Sequence, residues 1–279
     1  GPVWGLAVTP EGYVVSGSSD STVKVWDLTT RKCVHTFEGH DENVHAITAV
    51  GQRIFSGSAD SKIKVWDLTS KRLLKTLEGH TAIVCRLATD ERRLFSGSYK
   101  QIRVWNLTTY ECEHTIQDPN HWVRAMTVFQ GQLFSGTYNS ITAYDLETLL
   151  PTKLLAAEGG SVYALTAMQR PSGQSLLFAA SYNHELYCYD LGTDQLIKRL
   201  TGHINSAYSL CVSPKQGLLF SGSYDRTIRV WSTETLESVQ VIYSHHASID
   251  ALVLVENRGS HCLVSASADR TIQIHTPVK

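Results

Sequence analysis

The chain has 279 residues with a net charge of −1 and a pI near 6.9. That balance excludes the basic surplus of a phosphate-backbone binder, so no nucleic-acid partner is expected. No apolar run reaches the ~18 residues of a membrane helix, no charged-then-apolar leader opens the chain, and the six cysteines lack Cys-x-x-Cys or Cys/His spacing; a cytoplasmic protein with buried, reduced thiols and no metal, cofactor or membrane contact is expected.

The pattern opens inside a strand at Val3–Val8, passes an apolar Val15 before Ser-Gly-Ser, and reaches Val-Trp-Asp at 25–27. The unit is complete in the next copy. From Glu38 to Asp67 a Gly-His pair, three short β-branched or aromatic runs and a terminal Trp-Asp follow one another. The alternation predicts strands at Val44–Val50, Arg53–Ser58, Ile63–Asp67 and Arg72–Leu77, with Ala59-Asp60-Ser61-Lys62 as the turn between the second and third. The apolar residue before the Ser-Gly-Ser turn recurs at Val15, Phe55, Phe95, Phe134, Phe178, Phe220 and Val264, every 39–44 residues. Seven such copies account for the whole chain. Their approximate bounds are 1–40, 41–80, 81–119, 120–158, 159–203, 204–246 and 247–279. The last reaches only its third strand, Ile272–His275.

A period of ~40–45 residues with Gly-His and Trp-Asp marks resembles the WD40 family. The resemblance implies an all-β, seven-bladed WD40 β-propeller over 1–279, a single domain of a larger protein, with the last blade lacking its fourth strand. It also implies a hydrogen-bonded tetrad in each blade: His40, Ser56, Asp60 and Trp66 in the second, and His203, Ser221, Asp225 and Trp231 in the sixth. These are structural, since a buried Asp at a tight turn needs donors. A His-Ser-Asp set that recurs from blade to blade, always with its Asp in a turn, is not read as a hydrolase triad; no catalytic residue is expected and the protein is read as no enzyme. The third copy places Lys100 where the Asp is expected. The fourth has Asn139 and Tyr144 for Asp and Trp, and Asp118-Pro119-Asn120 for Gly-His. The fifth has Ala179, Asn183, Tyr189 and Gly159-Gly160, and the seventh puts His275 at the Trp position.

Positions that vary between copies serve something other than the fold. The resemblance assigns three positions per blade to a top face: the third and fifth residues after the His, and the residue before the turn Asp. Reading these gives a candidate partner-binding set of Trp4, His45, Tyr99, Trp122, Arg124, Tyr138, Tyr163, Tyr182, Tyr208, Tyr224 and Asp250. Tyr, Trp and Arg dominate interface hot spots. Arg86 stands out because its equivalents are Gly, Ala or Ser. The stretches GPVWGLAV, NHWVRAM and GGSVYAL further resemble the propellers of tumour-necrosis-factor-receptor-associated factors, which include RING-type ubiquitin ligases, and those of myosin heavy chain kinases. The expected function is a scaffold that docks a partner protein or peptide on its top face, as the recognition module of a ubiquitin ligase or signalling kinase. The alternative is a reader of a methylated or phosphorylated peptide through the same aromatic rim.

Overall fold

A computed structural model describes residues 1–90, 92–257 and 260–275, with the side chains of 118–120, 256, 257 and 260 outside that description. The expected substitution of Gly-His by Asp118-Pro119-Asn120 therefore lies outside the described residues. Every element described is a strand or a turn.

The first copy is an antiparallel sheet of β1 (Val3–Val8), β2 (Val14–Ser18), β3 (Val23–Asp27) and β4 (Lys32–Phe37). The second is β5 (Val44–Val50), β6 (Arg53–Ser58), β7 (Ile63–Asp67) and β8 (Arg72–Leu77). Three strands follow: β9 (Arg86–Thr89), β10 (Arg93–Asn106) and β11 (Cys112–Trp122). A seven-stranded sheet then runs through β12 (Ala125–Phe129), β13 (Gln132–Gly136), β14 (Tyr138–Asp145), β15 (Pro151–Gln169), β16 (Ser175–Ser181), β17 (Leu186–Asp190) and β18 (Gln195–Leu200). The sixth copy is β19 (Ala207–Ser213), β20 (Leu218–Ser223), β21 (Thr227–Ser232) and β22 (Ser238–Tyr243). The last described sheet has three strands, β23 (Ile249–Asn257), β24 (Ser260–Ser267) and β25 (Ile272–His275). The chain divides into two compact units, Gly1–Val123 with Val253–Lys279, and Arg124–Leu252.

Burial follows strand order. Along β6, the five residues from Ile54 to Ser58 are buried, while β8 is exposed over its first four residues. Each described apolar cluster joins two consecutive copies. Trp66 packs with Val15, Val25 and Phe37 of the copy before it; Trp105 does the same with Phe55 and Val65, and Trp231 with Phe178 and Cys188. The small residue of Ser-Gly-Ser makes this approach close. A Cβ on Gly17, Gly57, Gly97, Gly136 or Gly222 would come within 2.6 Å of a Val or Ile side chain from the following copy. The fifth copy breaks the rule in a matched way: Ala180 replaces the glycine and Ala207 replaces the valine, both fully buried in one cluster.

The structure departs from the expected four separate strands in the third to fifth copies. β10 is a single strand of 14 residues, covering what was read as a second and a third strand. β15 runs for 19 residues through the expected 158/159 boundary. The pairs Tyr99–Trp122 and Tyr138–Ser161 extend their ladders beyond the turn. The amides of Gly159 and Gly160 donate to Asn139 Oδ1 at 3.2 and 2.6 Å, which straightens the linker into strand. The thiols also depart from expectation. Cys33 and Cys112 are exposed, because they lie on the outermost strands of their sheets. Cys188 is buried, and burial pushes its thiol up to about 12.

Candidate interaction site

The tetrads hold the turns that carry the candidate site. In the second copy Trp66 Nε1 donates to Ser56 Oγ at 2.8 Å. Ser56 Oγ lies 2.7 Å from His40 Nε2, and His40 Nδ1 lies 2.7 Å from Asp60 Oδ2. With the indole donating to Ser56, the hydroxyl proton goes to Nε2 and the ring proton sits on Nδ1, facing the carboxylate. Asp60 also accepts the amides of Asp41 and Lys62. The sixth copy repeats the set through Trp231, Ser221, His203 and Asp225, and Asp225 accepts the Ile204 and Thr227 amides. Burial pushes the Asp60 and Asp225 carboxyls up, but the hydrogen bonds from histidine and turn outweigh it and hold both below the ordinary carboxylate range. The first copy keeps Trp26 on Ser16, with the Gly1 amine on Asp20. In the seventh, His275 Nε2 takes the Trp role at 2.7 Å from Ser265 Oγ. In the fifth, Asn183 meets Tyr187, whereas Tyr189, expected at the Trp position, donates to the Ala156 carbonyl.

The third and fourth copies correct the sequence reading. In five copies the residue after the turn Asp or Asn has a left-handed φ: Ser21, Ser61, His184, Arg226 and Arg270. In the third and fourth it is Lys100 and Asn139 themselves that have φ of 57°. Their turns are one residue shorter, and the position lost is that of the aspartate. Lys100 is therefore the counterpart of Ser61, not of Asp60. His80 still bonds Ser96 through Nε2 at 2.6 Å, and Trp105 still donates to Ser96. Its Nδ1 is buried without a hydrogen-bond partner among the described residues. Burial, with Arg103 nearby, pushes His80 down to about 3. Below pH ~6.5 the unfolded chain takes up a proton that the folded chain refuses, at a cost of up to ~1.4 kcal/mol per pH unit. Stability is therefore expected to fall as pH drops from about 6.5 to about 3. The lowered aspartates, Asp60 and Asp225 among them, add their loss only below ~3.9, as they protonate. Thermal melts across this range test it: the slope between pH 6 and 4 should flatten in His80→Asn, and an unchanged slope would locate the titration elsewhere.

The candidate partner-binding residues form three described clusters. Trp4 stacks on His45 with ring centroids 4.4 Å apart. Tyr99 packs on Trp122 at 5.1 Å, with Lys100 Nζ 5.3 Å from the Tyr99 centroid. The largest cluster lies in the unit Arg124–Leu252. There the Arg124 guanidinium sits over Tyr163 at 5.8 Å, Tyr163 meets Tyr208 edge-on at 4.9 Å, and Tyr208 meets Tyr224 edge-on at 6.1 Å. Burial, with Tyr163, Asp250, Tyr224 and Tyr182 around it, pushes the Tyr208 hydroxyl above its ordinary value. Tyr182, Tyr224 and Tyr138 are 59%, 55% and 54% exposed. Tyr138 reaches this face by pairing with Ser161 across β14 and β15. Arg86 pairs with Gly97 in β10, and burial lowers its guanidinium from the ordinary value. Among the described residues no group of three His, Cys, Asp or Glu is placed to hold a metal ion, and no helix is long and apolar enough to cross a membrane.

The WD domain, G-beta repeat family matches residues 1–27, 31–67, 71–106 and 194–232. The chain carries WD40 repeats. The matches skip 107–193, which holds the shortened turn of the fourth copy and the long β15. Among relatives, Pre-mRNA-processing factor 19 of Mus musculus is 31% identical over 100 residues, 36% of this chain and 19% of that protein. The periodic tryptophan protein 2 homolog of Neurospora crassa is 39% identical over 75 residues, 25% of this chain and 8% of its own length. WD repeat-containing protein 37 of Mus musculus is 30% identical over 104 residues, 37% and 20% of the two chains. The chain thus spans a fifth or less of each of these relatives. WD40 repeats generally serve as non-catalytic interaction scaffolds.

Proposed function

We propose that the seven copies act as the blades of one WD40 propeller over 1–279, and that it docks a partner protein or peptide on the top-face cluster of Arg124, Tyr163, Tyr182, Tyr208 and Tyr224. The observation that carries this reading is the unbroken contact chain from Arg124 through Tyr163 and Tyr208 to Tyr224, flanked by a Tyr182 that is more than half exposed. Aromatic rings held against one another are already ordered, so little side-chain entropy is lost when a partner covers them. Trp4, His45, Tyr99, Trp122, Tyr138 and Asp250 belong to the same set of positions. The stretches GPVWGLAV, NHWVRAM and GGSVYAL support a recognition module attached to a ubiquitin ligase or signalling kinase. The relatives named for pre-mRNA processing and for a U3 snoRNP support instead a place in an RNA-processing assembly; a net charge of −1 then favours a protein contact within it. The exposed rings of Tyr182 and Tyr224 support a second reading, in which the rim takes a methylated lysine.

The test compares proteins captured by the wild-type chain, by Tyr208→Ala/Tyr224→Ala, and by the opposite-face variant Gln52→Ala/Thr69→Ala. Calorimetry on the captured partner follows. Loss of two anchors should weaken binding by at least ~2 kcal/mol, about thirtyfold, while the opposite-face variant binds as wild type. Loss of binding in the opposite-face variant alone would place the site on the other side. A peptide array with methylated, phosphorylated and plain sequences separates the two readings.

A further inference from the structure

Within the unit that holds the third copy, one edge is chemically incomplete. In the second and sixth copies the turn carboxylate does two jobs: it receives the histidine Nδ1, and it receives the amide that follows the histidine, from Asp41 at 3.2 Å and Ile204 at 3.1 Å. The third copy keeps the histidine, the serine and the indole, but its turn is a residue short and supplies no carboxylate. His80 is only 8% exposed, and its Nδ1 lacks a partner among the described residues. Ser96 Oγ accepts the Trp105 indole and donates to the Arg103 carbonyl at 3.5 Å, and Nδ1 has no partner among the described residues; a carboxylate arriving there draws the ring proton to Nδ1.

The charges around it are the wrong sign for a lone turn. The basic residue of the third strand has stayed although the acid has gone: a Cβ on Gly79 would meet the Arg103 guanidinium, as one on Gly202 would meet Arg229. Arg103 Nε donates to Gln101 Oε1 at 3.1 Å, which holds the guanidinium along this edge. Lys100 stands at the turn tip, exposed, beside a Tyr99 that is 41% exposed and packed on Trp122. In the sister copies the same strand position is also basic, Lys64 and Arg229, and there the turn carries Asp60 or Asp225.

We propose that the third copy binds a carboxylate side chain of a partner peptide in the place its sister copies fill with their own aspartate. His80 Nδ1 and the Thr81 amide donate to it, and Arg103 and Lys100 neutralise it with flexible side chains. Tyr99 and Trp122 cover the peptide beside that residue. The site does not depend on the Arg124–Tyr224 cluster, and neither fails with the other.

The experiment uses the whole chain with ¹⁵N-labelled histidine. The His80 ring signals are followed while acetate, a blocked Gly-Glu-Gly peptide or its Gly-Gln-Gly counterpart is added. Acetate and the glutamate peptide should shift them saturably, and the glutamine peptide should not. Arg103→Gln should weaken the glutamate peptide about tenfold, as expected for loss of one charge-assisted contact. An aspartate inserted between Tyr99 and Lys100 should occupy the place from within and abolish the response. No shift at His80, an equal response to the glutamine peptide, or a response to acetate without one to the glutamate peptide overturns the proposal. If the insertion variant does not fold, the Arg103→Gln titration still decides, because an unchanged affinity overturns it as well.

Discussion

Gly57→Ala is expected to lower stability by about 1–3 kcal/mol, the usual range for overpacking a filled core, and shrinking Val84 in the same chain is expected to recover much of it. A Cβ on Gly57 would lie 2.6 Å from Val84 Cγ1, 3.0 Å from its Cβ and 3.3 Å from its carbonyl oxygen. The methyl can rotate away, but the Cβ and the backbone move only if the next copy moves. The fifth copy supplies the natural control, since Ala180 faces a cluster containing Ala207 where other copies pair glycine with valine or isoleucine. Gly57→Ala, Val84→Ala and the double variant form a thermodynamic cycle, read by urea unfolding. Contacting residues couple by ~0.5–3 kcal/mol, so the double variant should be more stable than the sum of its parts predicts. Strict additivity would show that the two residues do not share the space.

Asp225→Ala is the second large effect. The carboxylate receives His203 Nδ1, the Ile204 and Thr227 amides and the Thr227 hydroxyl, and the side chain is only 5% exposed. Leaving a buried donor unmet costs ~1–3 kcal/mol. The amides can still turn to water, so a loss of about 2–3 kcal/mol is expected, on the order of 5–10 °C in Tm. Asp60→Ala should behave alike. Lys100→Ala removes no acceptor from His80 and should shift Tm by no more than a degree or two. Equal shifts in all three would mean that the histidines contribute nothing through Nδ1.

The second copy was legible to the residue: the strands read from alternation, Val44–Val50 through Arg72–Leu77, are those observed. Its pattern is undisturbed, with a Gly-His break before it and a full-length turn within it. The third copy was not, for a reason that lies in counting. Measured from Ser96, Lys100 falls at the aspartate position; measured back from Trp105, the turn is a residue short. Only the backbone dihedral separates the two, and sequence does not print dihedrals. The merged β15 was missed because Gly159-Gly160 reads as a break, while the Asn139 side chain that straightens it is 20 residues away in sequence. The aromatic positions could be named from the repeat alone. Their grouping could not, because whether Tyr163 meets Tyr208 depends on how neighbouring copies pack, which no single copy encodes. The glycine–valine pairing was in principle visible, since Ala180 and Ala207 depart from the pattern together.

The 19-residue β15 has a consequence for how such a chain can be cut and rejoined. At Gly39, Gly79 and Gly202 the backbone leaves one sheet before it enters the next, so the copies meet at seams where an exchange or a duplication would disturb only a loop. At Gly159 there is no seam. The strand is paired with β14 up to Ser161, past that point, and with β16 from Val162 on, and opening it would strip pairing from two copies at once. The fourth and fifth copies thus form one pairing unit, and an exchange or duplication of repeats at that junction would have to break a continuous sheet rather than a loop.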